Sequence, residues 1–477
     1  MTPPPNRTAP PGAMASTGSK LLWAPQAWID GQWQTGVCFE VDTRGHWGRV
    51  SAGHTSAPAQ AARLNGPVLP GMVNAHSHAF QRAFAGLAER RDSASDDFWS
   101  WRDRMYGVAL RITPDQMRAV AAQLYVELLQ GGYTQVCEFH YLHHAEDGSP
   151  YTDPAAMAWA LADAADDSGL GLTLLPVLYE RAGFTQPSLR PDQRRFAGTP
   201  DFIADLQRTL QASGRQRMNA GVSIHSLRAA STASIQALLD HVGDADLPIH
   251  VHVSEQAQEV RDCLQTHGAR PIAWLHQQGW LDQRWQLVHA THTERPEIDP
   301  VAQSGAGIVI CPSTEGNLGD GLADLPGWLN AGVPLAIGSD SHVCRHWPEE
   351  LRWLEYGQRL GLQRRNVAAA PGQQAATAAR LMDAAVHSGG TAAGHKAWGL
   401  VPGARADLLV LDTQTPGLLG VPPSHWLDAL VFACDRPAIA DVLVAGVPVV
   451  VGGHHVRQAQ IAQRFRRAME SLWQASA

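Results

Sequence analysis

The sequence predicts an α/β chain, a (β/α)8 TIM-like barrel carrying a small β-sandwich domain built from both chain ends. Three observations predict it. Between residues 70 and 388, eight short apolar runs alternate with amphipathic stretches, the pattern of βα units around a parallel sheet. Segments 21–69 and 389–455 are instead made of short apolar runs broken by glycines and polar turns, which reads as β-rich. No Gly-X-Gly-X-X-Gly follows the first apolar run, which disfavours an open doubly wound sheet.

Size and composition agree with this division. The 477 residues exceed a typical single core and leave room for a barrel and a satellite. With 44% hydrophobic and 17% charged residues the chain is globular, and its net charge of -8 argues against a nucleic-acid partner, which would call for a basic stripe. No run approaches the ~18 apolar residues of a membrane span, so neither nucleic acid nor membrane is an expected partner. Residues 1–20 are rich in Pro, Ala, Thr and Ser without an apolar h-region, the pattern of a disordered leader. The six cysteines (Cys38, Cys137, Cys263, Cys311, Cys344 and Cys434) are scattered with no Cys-X-X-Cys, as reduced small hydrophobes in a cytoplasmic protein would be.

Taken in order, segment 28–33 has hairpin character with Asp30-Gly31 at the turn. The eight barrel strands are expected over 72–76, 134–139, 172–178, 220–225, 247–253, 285–290, 307–311 and 333–337. The helix after Thr113 has a plausible N-cap there, Pro114 in its first turn and Gly131-Gly132 at its end. Strand-like runs return at 403–412 and 440–451, and 456–477 closes the chain as an amphipathic helix.

Functional residues of such a barrel sit at the C-terminal ends of its strands. There the first strand carries His76 and His78, two imidazoles one residue apart that can fill adjacent positions around one ion. The fourth ends at His225 with Arg228 beyond, the fifth carries His250, His252 and Glu255, the sixth ends at His289, and the eighth at Asp340. Any one of these histidines reads most simply as a hydrogen-bonded strand-end residue. Together they suit a divalent metal of the zinc or iron type.

The pattern resembles the amidohydrolase superfamily: His-X-His on strand one, His on strands five and six, Asp on strand eight. Within it, segments 69–82, 98–106 and 252–256 are similar to the formimidoylglutamate deiminases, over nearly the whole chain after the leader. The resemblance implies His76, His78, His252 and Asp340 as ligands of one divalent ion, most simply Zn2+. Strand four offers no lysine or glutamate that could bridge two. His250 lies deeper and reads as a packed core histidine. The resemblance further implies hydrolysis of N-formimidoyl-L-glutamate to N-formyl-L-glutamate and ammonia, in histidine degradation, by a homodimer. Asp340 would take a proton from the attacking water, His289 would hold it, and Glu255 would protonate the departing nitrogen.

A substrate with two carboxylates calls for fixed cations, and Arg102 and Arg228 match the family's binding positions, with Gln81, Tyr141 and His225 as hydrogen-bonding partners. His140, His143 and His144 crowd Tyr141 beyond any ligand requirement. The aromatic run Phe98, Trp99 and Trp101 suits either a lid wall or plain packing. Two alternatives stay open: a sister deaminase acting on an aminated heterocycle such as guanine or a triazine, and a non-catalytic barrel used for assembly.

Overall fold

A computed structural model describes residues 20–89 and 98–474. The leader expected over 1–20 lies outside the described residues except for Lys20, which opens the first strand. All eight expected barrel strands form. They are β1 (Met72–Ser77), β2 (Tyr133–His140), β3 (Gly171–Leu178), β4 (Val222–Ile224), β5 (Ile249–Val253), β6 (Trp285–His289), β7 (Gly307–Ile310) and β8 (Leu335–Ile337). Each pairs in parallel with the next in sequence, and every residue of these strands is buried. Continuous apolar runs are what strands covered on both faces require. The fourth run, expected over 220–225, is broken at Gly221, and the separate strand Met218–Ala220 before it pairs with β3.

Strands β1 and β8 meet at the mouth through a Ser77–Asp340 bridge. The His76 carbonyl accepts from the N–H groups of Ser339 (3.2 Å) and Asp340 (3.0 Å). Gly338 permits this approach: a Cβ there would lie 2.7 Å from the His76 Cβ and 2.9 Å from Cys311 Sγ. At the opposite end the barrel is plugged by helix Thr377–Ala392. Its final carbonyls are satisfied from inside the barrel: His250 Nε2 donates to Ala392 (2.8 Å), Thr173 Oγ1 and Asn219 Nδ2 to Ala393 (3.0 and 2.7 Å). His250 is thus a packed core histidine.

The two ends of the chain share one nine-stranded, largely antiparallel sheet. Strand Leu408–Leu411 from the C-terminal side pairs with Val68–Pro70, which in turn pairs with Lys20–Ile29. The hairpin forms between Lys20–Ile29 and Gln32–Val41, with Asp30 (φ 49°) and Gly31 (φ 75°) in the left-handed turn that this two-residue connection demands. The Trp47 N–H donates to the Ala404 carbonyl and the Ala406 N–H to that of Gly45, so the sheet curls back over its own core of Val37, Phe39, Trp47, Leu408 and Val410.

Helix Pro114–Gln130 starts at a full capping box, the Thr113 hydroxyl accepting from Gln116 N–H while Gln116 Oε1 accepts from Thr113 N–H. Helix Gln458–Gln474 packs on it, with Gln116 Nε2 donating to Ser471 Oγ (3.1 Å). All six cysteines are buried free thiols. Among the described residues no helix is long and apolar enough to cross a membrane.

Candidate metal centre and active site

At the barrel mouth, His76 Nε2 lies 3.1 Å from His78 Nε2, 2.9 Å from His252 Nε2 and 3.6 Å from Asp340 Oδ1. His78 Nε2 is 3.4 Å from the same carboxylate oxygen. One imidazole nitrogen cannot satisfy three such neighbours with a single proton. Donor atoms about 2.1 Å from one tetrahedral ion lie roughly 3.4 Å from each other, so a divalent cation fits this donor set. Burial holds His76 and His252 well below the ordinary histidine range and His78 down to about 3, so all three are neutral imidazoles with a lone pair to offer. His78 donates Nδ1–H to the Phe139 carbonyl (3.0 Å), which leaves its Nε2 facing the cluster, and the His252 ring stacks on Phe139.

His289 behaves differently. Burial pulls its pKa down, but Glu255, Glu315 and Asp340 outweigh that and push it up to about 10. Its Nε2 is 3.9 Å from both Glu255 Oε1 and Asp340 Oδ2, and its Nδ1 is 3.3 Å from Glu315 Oε1. Asp340 is pushed up to about 7 by burial and by Glu255 and Glu315, against the pull of His289.

A cavity opens onto this cluster. Gln81, Arg102, Tyr141, His225 and Arg228 all face it, together with Glu255, His289 and Asp340. The Arg102 guanidinium lies over the Tyr106 ring, 5.6 Å from its centroid, and Tyr179 packs edge-on to His225 at 4.3 Å. Gln193 Nε2 donates to both tyrosine hydroxyls (3.3 and 2.9 Å) and so fixes the wall behind Arg102 and His225. Gln81 Nε2 reaches Tyr141 Oη at 3.4 Å, while its buried Oε1 has no hydrogen-bond donor among the described residues. Burial and Arg228 hold His225 well below its ordinary range, hence neutral.

Trp101 lines the cavity, whereas the side chains of Phe98 and Trp99 lie outside the described residues. The extra histidines are committed elsewhere: His143 Nε2 bonds the Val177 carbonyl (3.2 Å) and His144 Nε2 that of Ala197 (2.8 Å), and His140 packs edge-on to His143.

Three carboxylates support the site from behind. Glu138 accepts from Ala79 N–H (2.5 Å), Ser77 Oγ (2.7 Å) and Tyr125 Oη (3.4 Å), clamping the turn that carries His78, and burial pushes it up to about 8. Glu315 faces His289 and accepts from Cys311 N–H (2.9 Å). Glu259 accepts from the N–H groups of Ser254 (3.2 Å) and Glu255 (3.1 Å). The signal that could have found Glu138 is its position in a strand between Val136-Cys137 and Phe139, where a buried acid is retained only with partners.

Fold and site together define a hydrolase barrel with a cation-binding mouth. The chain belongs to the amidohydrolase family, whose model matches residues 68–449. It is 43% identical to the formimidoylglutamate deiminase of Pseudomonas aeruginosa over 455 residues, 94% of this chain and 99% of that protein. It is also similar to an amidohydrolase from Brucella melitensis of known crystal structure, at 40% identity and a TM-score of 0.89, covering 95% of this chain and 99% of that one. The atrazine chlorohydrolase of Arthrobacter aurescens crystallised with zinc shares the fold (TM-score 0.80, 19% identity, 94% of this chain and 99% of that one).

Proposed function

We propose that this chain hydrolyses N-formimidoyl-L-glutamate to N-formyl-L-glutamate and ammonia, with one Zn2+ held by His76, His78, His252 and Asp340. The observation that carries the reading is one cavity joining two unlike ends. Neutral imidazoles and a carboxylate suited to a cation form its floor, and Arg102 and Arg228 face it from the wall. The ion would supply a Lewis acid that activates the hydrolytic water.

The remaining work falls to side chains. Arg102 and Arg228 bind the two substrate carboxylates, as a dicarboxylate with fixed charges requires. The open Gln81 Oε1 accepts from a substrate N–H, and neutral His225 and Tyr141 complete the hydrogen-bonding wall. Asp340 accepts the proton of the attacking water, and cationic His289 holds that water and stabilises the charge that develops on it. Glu255 delivers the proton to the leaving nitrogen, so the formimidoyl carbon gains an oxygen and loses ammonia. On the resemblance alone we extend the reading to a cytoplasmic homodimer acting in histidine degradation.

Ammonia release measured in parallel with formimidoylglutamate, formimidoylaspartate and guanine tests the substrate. Turnover is expected with formimidoylglutamate above both others. Activity confined to guanine would overturn the assignment, and a purified chain carrying no divalent ion would overturn the metal-dependent mechanism.

A further inference from the structure

Among the described residues, one other group of metal-ligating side chains converges outside the barrel mouth. Cys344, His346 and Glu349 bring their ligand atoms within 4.8 Å of one another on the turn entering helix Trp347–Leu362. His346 Nε2 lies 2.8 Å from Glu349 Oε2, and the Cys344 Sγ–H donates to the His346 carbonyl at 3.4 Å. The cluster shares no residue with the barrel-mouth site. We propose that these three side chains form a second, softer divalent-cation site of the zinc or cobalt class.

The donor set favours that chemistry: a thiol, an imidazole and a carboxylate suit a borderline metal, and three protein ligands leave one position for water or a small anion. The spacing Cys-X-His-X-X-Glu is local, so little chain must be ordered to build the site. Access is graded. Cys344 is buried, while the side chains of His346 and Glu349 are 29% and 35% exposed, leaving a route for an ion from solvent. The neighbouring arginines are engaged elsewhere, Arg345 with Glu127 (2.8 Å) and Arg352 with the carbonyls of Val431 (2.6 Å) and Cys434. The site lies four residues beyond Asp340 on the same connection, so its ion pins the segment that carries a catalytic carboxylate.

The full-length chain, stripped by a chelator and reloaded with Co2+, tests this. The wild type is expected to hold one ion more per chain than Cys344→Ser or His346→Asn, whatever the barrel mouth retains. A thiolate-to-cobalt charge-transfer band in the near ultraviolet is expected in the wild type and in Cys311→Ala, and absent from Cys344→Ser. Circular dichroism of the metal-free variants confirms their folding. Equal cobalt content in wild type and both variants, or a band that is absent from the wild type, survives Cys344→Ser or is lost with Cys311→Ala, would overturn the proposal.

Discussion

Left-handed backbone gathers at the barrel mouth. Ser254 (φ 52°), His289 (φ 72°), Ala290 (φ 50°), Asp340 (φ 45°) and His342 (φ 65°) all occupy a region that favours glycine, at a cost of about 1–3 kcal/mol each. The turns so made bring His289 and Asp340 round to the Nε2 atoms of β1 and β5. Asp340 is held there by Asn74 and Ser339: Asn74 Nδ2 donates to Ser339 Oγ (2.7 Å) and Asn74 Oδ1 accepts from Ser339 N–H (2.9 Å). Asp340→Asn keeps this shape and removes the charge. Its turnover should fall by roughly 10²–10⁴-fold, the scale of a lost acid–base group, and a steady-state kcat near wild type would exclude the proton-accepting role. Arg102→Ala should act differently, because a guanidinium on a remote carboxylate stabilises ground and transition states alike. KM is expected to rise about 10- to 100-fold with kcat little changed, as loss of a charge-assisted hydrogen bond implies. A fall confined to kcat would place Arg102 in the chemical step instead.

Elements are tied to one another by buried carboxylates, and these set a pH dependence. Glu350 on helix Trp347–Leu362 is fully buried and accepts from Ser313 Oγ (2.6 Å) and Ser313 N–H (3.0 Å) at the start of helix Pro312–Leu318. Burial pushes it up to about 8 against those bonds. Its unfolded pKa is about 4.3, so between the two values the unfolded chain holds fewer protons and stability falls as pH rises. Glu350→Gln keeps the contacts without the titration and should gain melting temperature relative to wild type from pH 4.5 to pH 8. A constant difference across that range would rule the linkage out.

The same carboxylates mark where the sequence stops being readable. The eight strands are legible because strands covered on both faces are largely apolar, and the candidate ligands because several imidazoles and a carboxylate recur together at strand ends. Glu138, Glu259 and Glu315 are not, since an acid's partners are set by tertiary packing. Those of Glu138 lie 59, 61 and 13 residues away. The irregular register of β1 against β2, shifted between Met72 and Val73 and again between Asn74 and Ser77, is equally invisible in a run of apolar residues.

For the whole molecule, the joint between the end-built sheet and the barrel includes a buried ion pair. Arg405 and Asp407 are 7% and 3% exposed as side chains, with Nη2 2.6 Å from Oδ2. The guanidinium also donates to Gln135 Oε1 (2.7 Å) and the Thr134 carbonyl (3.0 Å) at the start of β2, and it lies over Trp398. Asp407 in turn accepts from Ala445 N–H (2.9 Å), so the pair ties the C-terminal segment of the sheet to the barrel end opposite the active site. A buried pair adds little over an apolar replacement, but removing one partner strands the other. Arg405→Met should therefore lose about 3–5 kcal/mol in the first denaturant transition. Adding Asp407→Asn removes the stranded charge while keeping an acceptor for Ala445, and more than half of the loss should return. Because the joint lies at the far end of the strands, kcat of the folded enzyme should be unchanged in both variants. A double variant no more stable than Arg405→Met would show that the joint depends on the shape of the guanidinium and its bonds to β2 rather than on charge.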